Sequence, residues 1–454
     1  MKVKVILTLF LLSECTFCIA QQNTNTLSPS SSHVVNKIDH PFIRCATMDY
    51  VKWVEQKDTG FKSKIAAAEQ SMKNWEANAI TSGYHAEQAA YTVPLVVHVL
   101  WDNASQQLSL QQVKTQIKVL NQDYNRLNAD TIDTPPPFKA VAASMNITFC
   151  LAQVDPNGNP TNGVVYKQVP SNTFYLTDDA MKYPSKGGDT AWDVHKYFNI
   201  WVCNLAGGVL GYSVFPFLPL DGRFGSVILY SVFGDSNVMA PYNLGRTTTH
   251  EVGHLMDLHH PWGDDFGYCP GAGGDDDSIA DTPPEGNNLA DGYGDGAGPT
   301  FGCPPFPYTD NCSTIYPGIM FQNYMEYTDD ACMNLFTHDQ ALRAFTALNG
   351  PLASLLTSNV CTPLGIDELG ISREIDIFPN PSTGIINAEL KFSKPSKVEM
   401  VATTVLGQTI YKWNADNITN ETMKMDFSAQ PGGIYFLRVS DGNSFVVKKV
   451  VLSR

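Results

Sequence analysis

The stretch HEVGHLMDLHH, residues 250–260, puts four histidines and a glutamate into eleven residues. On a helix His250 and His254, four apart, share one face and can present two imidazoles to a single metal ion, with Glu251 one position round beside it. Zinc held by three protein ligands keeps an open fourth position, where its water falls to a pKa of about 7 and becomes a nucleophile. Glu251 is then placed to act as general base. The competing reading is a polar helix face carrying two histidines.

A third ligand decides between these readings. His259 and His260 lie five and six residues beyond His254, and the spacing of the extended signature H-E-x-x-H-x-x-G-x-x-H selects His260. The signature's glycine breaks the helix so that the chain can return to the metal. Here that position is Asp257, a residue type that enters the left-handed region at some conformational cost, so the turn remains available.

A second cation is expected further along. Between Arg246 and Arg343 there is no Lys or Arg, while sixteen Asp and Glu occur, a segment that would repel itself as a bare loop. Its densest part is GGDDDSIADTPPE, residues 273–285. Hard oxygen ligands at close spacing suit Ca²⁺, with Asp276, Asp277, Asp281 and Thr282 as candidates and main-chain carbonyls completing the shell. The alternative is an acidic surface loop.

These groups need a scaffold, and 454 residues with 43% hydrophobic and 17% charged residues describe two or three folded units. A net charge of −15 without clustered Lys or Arg argues against a nucleic-acid partner. The start, MKVKVILTLFLLSECTFCIAQQ, reads as a secretory signal peptide over 1–20, and no later run is long enough to span a membrane. Residues 21–90 read as a pro-segment: a Ser/Thr/Asn/Gln-rich stretch, then the charged, helix-like KSKIAAAEQSMKNWEA with no evident core of its own. Residues 91–350 read as a mixed α/β catalytic domain. TVPLVVHVLW is a buried-strand run, and Leu110, Val113, Ile117, Leu120 and Tyr124 recur at helical spacing behind Ser109 as cap. NITFCLAQV, YFNIWVCNL and GSVILYSVFG are further strands, the last expected as an antiparallel edge that could bind substrate as an added strand. Residues 351–373 read as a linker, and 374–454 as short alternating strands of a small all-β sandwich.

Export brings oxidising conditions, so the eight cysteines outside the signal are candidates for disulfides. Cys150 and Cys203, inside strand-like runs, read as buried thiols. Cys45, in FIRCATMDY of the pro-segment, could deliver a thiolate to the open zinc position and hold the protein latent. Alternatively it pairs with Cys150, Cys203 or Cys361.

TTTHEVGHLMDLHHPWGDD, IADTPPE and NYMEYTDDACMNLFT, in that order, resemble the pappalysin-type metzincins, especially the cytophagalysin branch of family M43. The resemblance covers roughly residues 91–347. It implies an α/β (α+β) metzincin-like zinc-protease domain, with a twisted mixed sheet and helices above the cleft and a loop-rich half below it. It implies that His250, His254 and His260 bind one catalytic zinc, that Glu251 is the base, that Met325 forms the methionine turn beneath the metal, and that Tyr327 contacts zinc or stabilises the transition state. It also implies the bridges Cys269–Cys312 and Cys303–Cys332, where the sequence by itself leaves three pairings of these four open. FPNPSTG, GIYFLRV and VVKKVVL resemble the sorting domain of the type IX secretion system, which implies that machinery as a partner and delivery to the extracellular space or cell surface. The reading that follows is a secreted zinc-dependent endopeptidase made as a zymogen and acting on proteins or peptides. Two alternatives are a zinc-retaining binding protein with little or no turnover, because of Asp257, and a zinc amidase or esterase.

Overall fold

The computed structural model describes residues 42–58, 60–81, 90–170, 173–218, 220–263, 269, 277–286, 300–361, 374–404, 408–440 and 445–453. The expected signal peptide, Asp264, Asp265 and Asp276 lie outside these residues. No helix among the described residues is long and apolar enough to cross a membrane.

Strand β1 (Tyr91–Trp101) is buried along nearly its whole length because it has neighbours on both sides. β3 (Ile147–Leu151) and β4 (Val164–Gln168) pair parallel with its first and second halves, and β5 (Phe198–Cys203) pairs parallel on the other side. β7 (Ser226–Leu229) continues the parallel run beyond β5, and β6 (Gly211–Tyr212) closes the sheet as its single antiparallel strand. The expectation that GSVILYSVFG forms the edge is therefore corrected: β7 lies inside the sheet, and the edge is β6. Buried on both faces, β7 has the continuous apolar run that suits an interior parallel strand.

Helix α3 (Leu110–Tyr124) packs on this sheet by the apolar face its periodicity defines, and the Ser109 hydroxyl accepts the Gln112 amide as its cap. Helix α4 (Arg246–Leu255) is buried on every side. Its first residue ties it to α3, with Arg246 Nε 3.0 Å from Asp123 Oδ2, and Thr249 Oγ1 donates to the same oxygen at 2.7 Å. Beyond α4 the described residues form only a short 3₁₀ turn, Asp330–Cys332, before β8 (Phe336–Thr337), which pairs with β2 (Ala142–Ala143) and leads into α5 (His338–Asn349) through a capping box of Thr337 and Gln340.

Two helices precede the sheet, α1 (Thr47–Glu55) and α2 (Phe61–Thr81). Tyr50, Val51, Val54, Phe61 and Met72 join the same hydrophobic cluster as β1 and β5, so the pro-segment borrows a core that the rest of the chain supplies. At the other end, the linker expected from 351 begins later. Helix α6 (Ala353–Leu356) follows α5, Leu352 and Leu355 are fully buried, and Cys361 is bridged to Cys150 on β3. This also corrects Cys150, read from the sequence as a buried thiol; Cys203 is one.

Strands β9 (Glu374–Phe378), β10 (Ile385–Thr404), β11 (Thr409–Asp426), β12 (Gly433–Ser440) and β13 (Phe445–Leu452) pair antiparallel throughout. β10 pairs with β9 through its first half and with β12 through its second, and register shifts between Lys391 and Val398 mark where the long β10–β11 hairpin bends. The sheet folds over a core of its own, centred on Ile386, Leu390, Met400, Leu437 and Val439.

Candidate metal and catalytic site

His250 and His254 stand one turn apart on α4, and the backbone fixes both rings. His250 Nδ1 faces the carbonyl of Tyr324 at 2.8 Å and His254 Nδ1 that of Leu258 at 2.7 Å. A carbonyl can only accept, so each Nδ1 carries the proton and each Nε2 turns a lone pair inward. There His250 Nε2 lies 3.2 Å from the Nε2 of both His254 and His260. With the thiol of Cys45 these form the one group of three or more His, Cys, Asp or Glu donors gathered closely enough for a metal among the described residues, all within 4.8 Å of one another and all buried. Burial and mutual repulsion push His250 and His254 well below the usual histidine pKa, so these two present neutral nitrogen donors. Nitrogen and sulfur donors without a water-filled surround are the set that zinc takes. His259 stays outside it, stacked on Phe215.

The turn that brings His260 back answers why an aspartate is tolerated. Leu258 N donates to Gly253 O and Asp257 N to His254 O, the paired bonds of a helix end whose next residue is left-handed, and Asp257 has φ 68°. Its carboxylate is buried, with Arg343 Nη1 of α5 3.8 Å away. Arg343 is shared: its Nε donates to Glu76 of α2 at 2.7 Å and its Nη2 to Ser278 O.

Met325 is fully buried beneath α4, and Gly253 is what admits it: a Cβ there would stand 2.5 Å from the Met325 sulfur. Tyr327, two residues on, meets the His260 ring edge-on at 5.0 Å, and Trp262 stacks flat on His260 at 4.4 Å. The Glu251 side chain lies against Gly211, and its main-chain carbonyl accepts the Ser213 hydroxyl at 2.6 Å. Burial pushes its carboxyl up to about 8, against hydrogen bonds that favour the charged form.

The segment that precedes α1, read from the sequence as part of a pro-segment, lies directly across this cluster. Ile43 bridges in parallel to Val209, Ala46 N donates to Gly211 O, and Cys45 Sγ comes 3.4 Å from His254 Nε2. Cys45 is a free thiol, so the alternative of a bridge to Cys150, Cys203 or Cys361 is not what the fold makes. Thr47 Oγ1 donates to Glu251 Oε2 at 3.1 Å, and Tyr327 OH donates to Cys45 O at 3.0 Å. Arg44 forms a fully buried ion pair with Asp330 Oδ1 at 2.8 Å, while Asp330 Oδ2 accepts the amides of Leu244 and Arg246. Thr47, Arg44, Ser213 and Arg343 lie in none of the chemical motifs, and Trp262 and Asp330 lie in PWGDD and NYMEYTDDACMNLFT without a role assigned from sequence; FIRCATMDY, which holds Arg44 and Thr47 beside Cys45, was the available signal for those two.

The loop-rich half is bridged Cys269–Cys312 and Cys303–Cys332. Of the calcium candidates, Asp277 accepts from Ile279 N and Thr282 Oγ1, while Asp281 Oδ2 accepts Asp339 N at the start of α5. The Oδ1 of Asp281 is buried without a hydrogen-bond partner, as is Oε2 of Glu285.

A buried N/S donor cluster on a helix beneath a mixed sheet, with a glutamate beside it, defines the class as a metzincin-like zinc peptidase. Residues 185–349 match the peptidase M43 family described as pregnancy-associated plasma protein-A, and residues 376–453 match the secretion system C-terminal sorting domain. Extracellular metalloprotease 1 of Coccidioides posadasii (strain C735) is 32% identical over 268 residues, which is 56% of this chain and 76% of that protein. Mature mirolysin of Tannerella forsythia, solved in complex with a cleaved peptide, is 43% identical with a TM-score of 0.56, covering 61% of this chain and all of the other. A promirolysin mutant from the same organism is 39% identical with a TM-score of 0.60, over 69% of this chain and 97% of that one. The chain belongs to the pappalysin-type metallopeptidases: it is a secreted zinc-dependent endopeptidase made as a zymogen, and it carries a type IX secretion sorting domain.

Proposed function

We propose that His250, His254 and His260 hold the catalytic zinc, that Glu251 is the general base, and that Cys45 occupies the fourth position until the pro-segment is removed. The observation that carries this is the convergence of three inward-facing imidazole nitrogens and one thiol within 4.8 Å. When bound, zinc supplies Lewis acidity to the scissile carbonyl and to a water molecule. Glu251 takes a proton from the attacking water and returns it to the leaving amine. Tyr327, whose hydroxyl now donates to the Cys45 carbonyl, is free to donate to a substrate oxygen once that carbonyl departs. Met325 supports the histidines from below.

The pro-segment of this reading spans residues 21–90, the catalytic domain extends from 91 to about 361, and the sorting domain from 374 to 454. The partners are protein or peptide substrates and the secretion machinery, with no nucleic acid. Calcium is proposed for the acidic segment through Asp276, Asp277, Asp281 and Thr282, supported by its lack of basic residues and by the unsatisfied carboxylate oxygens beside it. A zinc-retaining protein without turnover is not favoured, because the chain matches extracellular metalloproteases and a mature peptidase solved with a cleaved peptide; Asp257 adopts the left-handed turn that brings His260 to the cluster.

Glu251→Ala tests the mechanism. It leaves all three imidazoles in place, so metal analysis should find one zinc per chain, while peptide hydrolysis falls by about 10²–10⁴-fold. Turnover retained in a folded, zinc-replete variant would reject Glu251 as base.

A further inference from the structure

Tyr50 lies one turn into α1 with Trp53 of the same helix against one side of its ring, and its phenol enters a buried box of catalytic-domain residues. Its hydroxyl donates to Asp179 Oδ2 at 2.7 Å, and the Tyr212 hydroxyl donates to Oδ1 of the same carboxylate at 2.8 Å. Lys182 Nζ stands 3.1 Å from Asp179 Oδ1, between 4.9 and 5.4 Å above the rings of Tyr50, Tyr212 and Trp201, and donates to Arg223 O. The rings of Tyr50 and Tyr212 stack at 5.2 Å. Asp179, Lys182, Tyr212 and Trp201 are each no more than 1% exposed.

The expense of this box falls on the catalytic domain rather than on the pro-segment. Burying an ammonium and a carboxylate costs several kcal/mol of desolvation per ion before their attraction offsets it. Asp179 is also held in the left-handed region at φ 53°, and Gly188 packs so closely on the backbone of Ala180 and Met181 that no side chain fits there. Strain and buried charge of this kind concentrate at binding sites. A helix could be anchored by apolar contacts, of which Val51 and Val54 already supply some. The box also adjoins the catalytic machinery. Tyr212 precedes Ser213, whose amide donates to Thr47 Oγ1 and whose hydroxyl donates to the carbonyl of Glu251. A cavity of about 170 Å³ between α1 and the catalytic domain, lined by Trp53, Phe61, Phe217, Leu218 and Arg223 among others, runs beside it.

We propose that this box is a tyrosine-recognising subsite of the mature peptidase, filled in the proenzyme by Tyr50 and opened to a substrate phenol when the pro-segment leaves. The proposal rests on the zymogen reading. Departure of Tyr50 leaves Asp179 Oδ2 without its phenol donor and exposes one face of the Tyr212 ring beneath a fixed ammonium. A phenol satisfies all three features. Phenylalanine fills the space but strands the carboxylate oxygen, leucine lacks the ring face, and lysine or arginine meets the charge of Lys182.

The test uses activated full-length protein and a set of peptides differing in a single residue, Tyr, Phe, Leu or Lys, moved through successive positions about one cleavage point. At one position Tyr should exceed Phe in kcat/KM by about tenfold or more, because a site that hydrogen-bonds a hydroxyl rejects the analogue lacking it. Equal rates for Tyr and Phe at every position, with cleavage proceeding, would overturn the subsite while leaving the peptidase intact. Cleavage of no peptide would strike the peptidase reading itself and the subsite with it. Asp179→Asn adds a second readout: the Tyr-to-Phe ratio should collapse toward one, and a ratio that persists would place the preference elsewhere. The unmodified enzyme's ratio stands on its own if that variant does not fold.

Discussion

Asp257 occupies a position where glycine would turn the helix end without cost. An L-residue in the left-handed region pays about 1–2 kcal/mol, and the buried Arg343 guanidinium is what its carboxylate gains in return. In the proenzyme Arg343 also holds Glu76, so it keeps a carboxylate whatever stands at 257; without Glu76, Asp257 is the carboxylate within ion-pair distance that remains, beside the Ser278 carbonyl. Asp257→Gly should therefore destabilise the mature form by about 1–3 kcal/mol, the loss of a buried partner less the relieved strain, and the proenzyme by less. Thermal unfolding of the two forms checks this, and an equal shift in both would separate Asp257 from Arg343. At this scale the convergence of His250, His254 and His260 was legible because their spacing is itself the signal. Arg343 and Asp330 were not, since what makes them matter is a partner between 86 and 286 residues away, and no local pattern encodes that.

Helix α4, the β6 edge and the pro-segment make one assembly in which each element serves the next. Gly253 lets Met325 close beneath α4, and Gly211 lets β6 lie against Glu251, where a Cβ would come within 2.9 Å of its side chain. The strand runs were visible in the sequence as strands, yet their order was not: a continuous apolar run states that a strand is buried but not which strands cover it. Hence GSVILYSVFG was misplaced at the edge, and the two-residue β6 passed unseen. Along that edge the pro-segment is seated by Arg44 in Asp330 as well as by Cys45. Removing one partner of a fully buried pair costs about 3–5 kcal/mol. Arg44→Ala should accordingly give a proenzyme that hydrolyses peptide before any cleavage of its chain, or that matures faster, as Cys45→Ala should. Uncleaved Arg44→Ala protein as silent as the wild type, with maturation at the same rate, would remove Arg44 from the latch.

Taken whole, the molecule has two main cores with no residues in common, one organised by the mixed sheet and one by β9–β13. Deleting residues 374–454 should leave the melting transition and peptidase activity of the catalytic domain in place while abolishing export; loss of the transition would show that the sheets depend on each other. The acidic, loop-rich half is where calcium would act. A calcium-selective chelator should lower its stability by about 2–4 kcal/mol at unchanged zinc content, the effect of withdrawing a ligand held well above its dissociation constant. An unchanged melting curve would leave the segment as an acidic loop. The mixed α/β domain was readable from its strand and helix runs, and the C-terminal all-β sheet from its turn spacing. The boundary at 351 was not, because Leu352, Leu355 and Val360 are too few to form a pattern and are fixed by what they pack against.

The bridge from Cys361 to Cys150 has a mechanical consequence. Cys361 is where the described catalytic domain ends, and Cys150 lies on β3, hydrogen-bonded along β1. A pull on the C-terminal domain, as when an exporter grips it, enters the protein through that bond and is borne by the sheet in shear. Helices α5 and α6, on which His260's turn leans through Arg343, stand off the line of load. Stretched from residue 374 under reducing conditions, the protein should shed α6 at low force and lose zinc; with the bridge closed it should hold both until the sheet itself gives way.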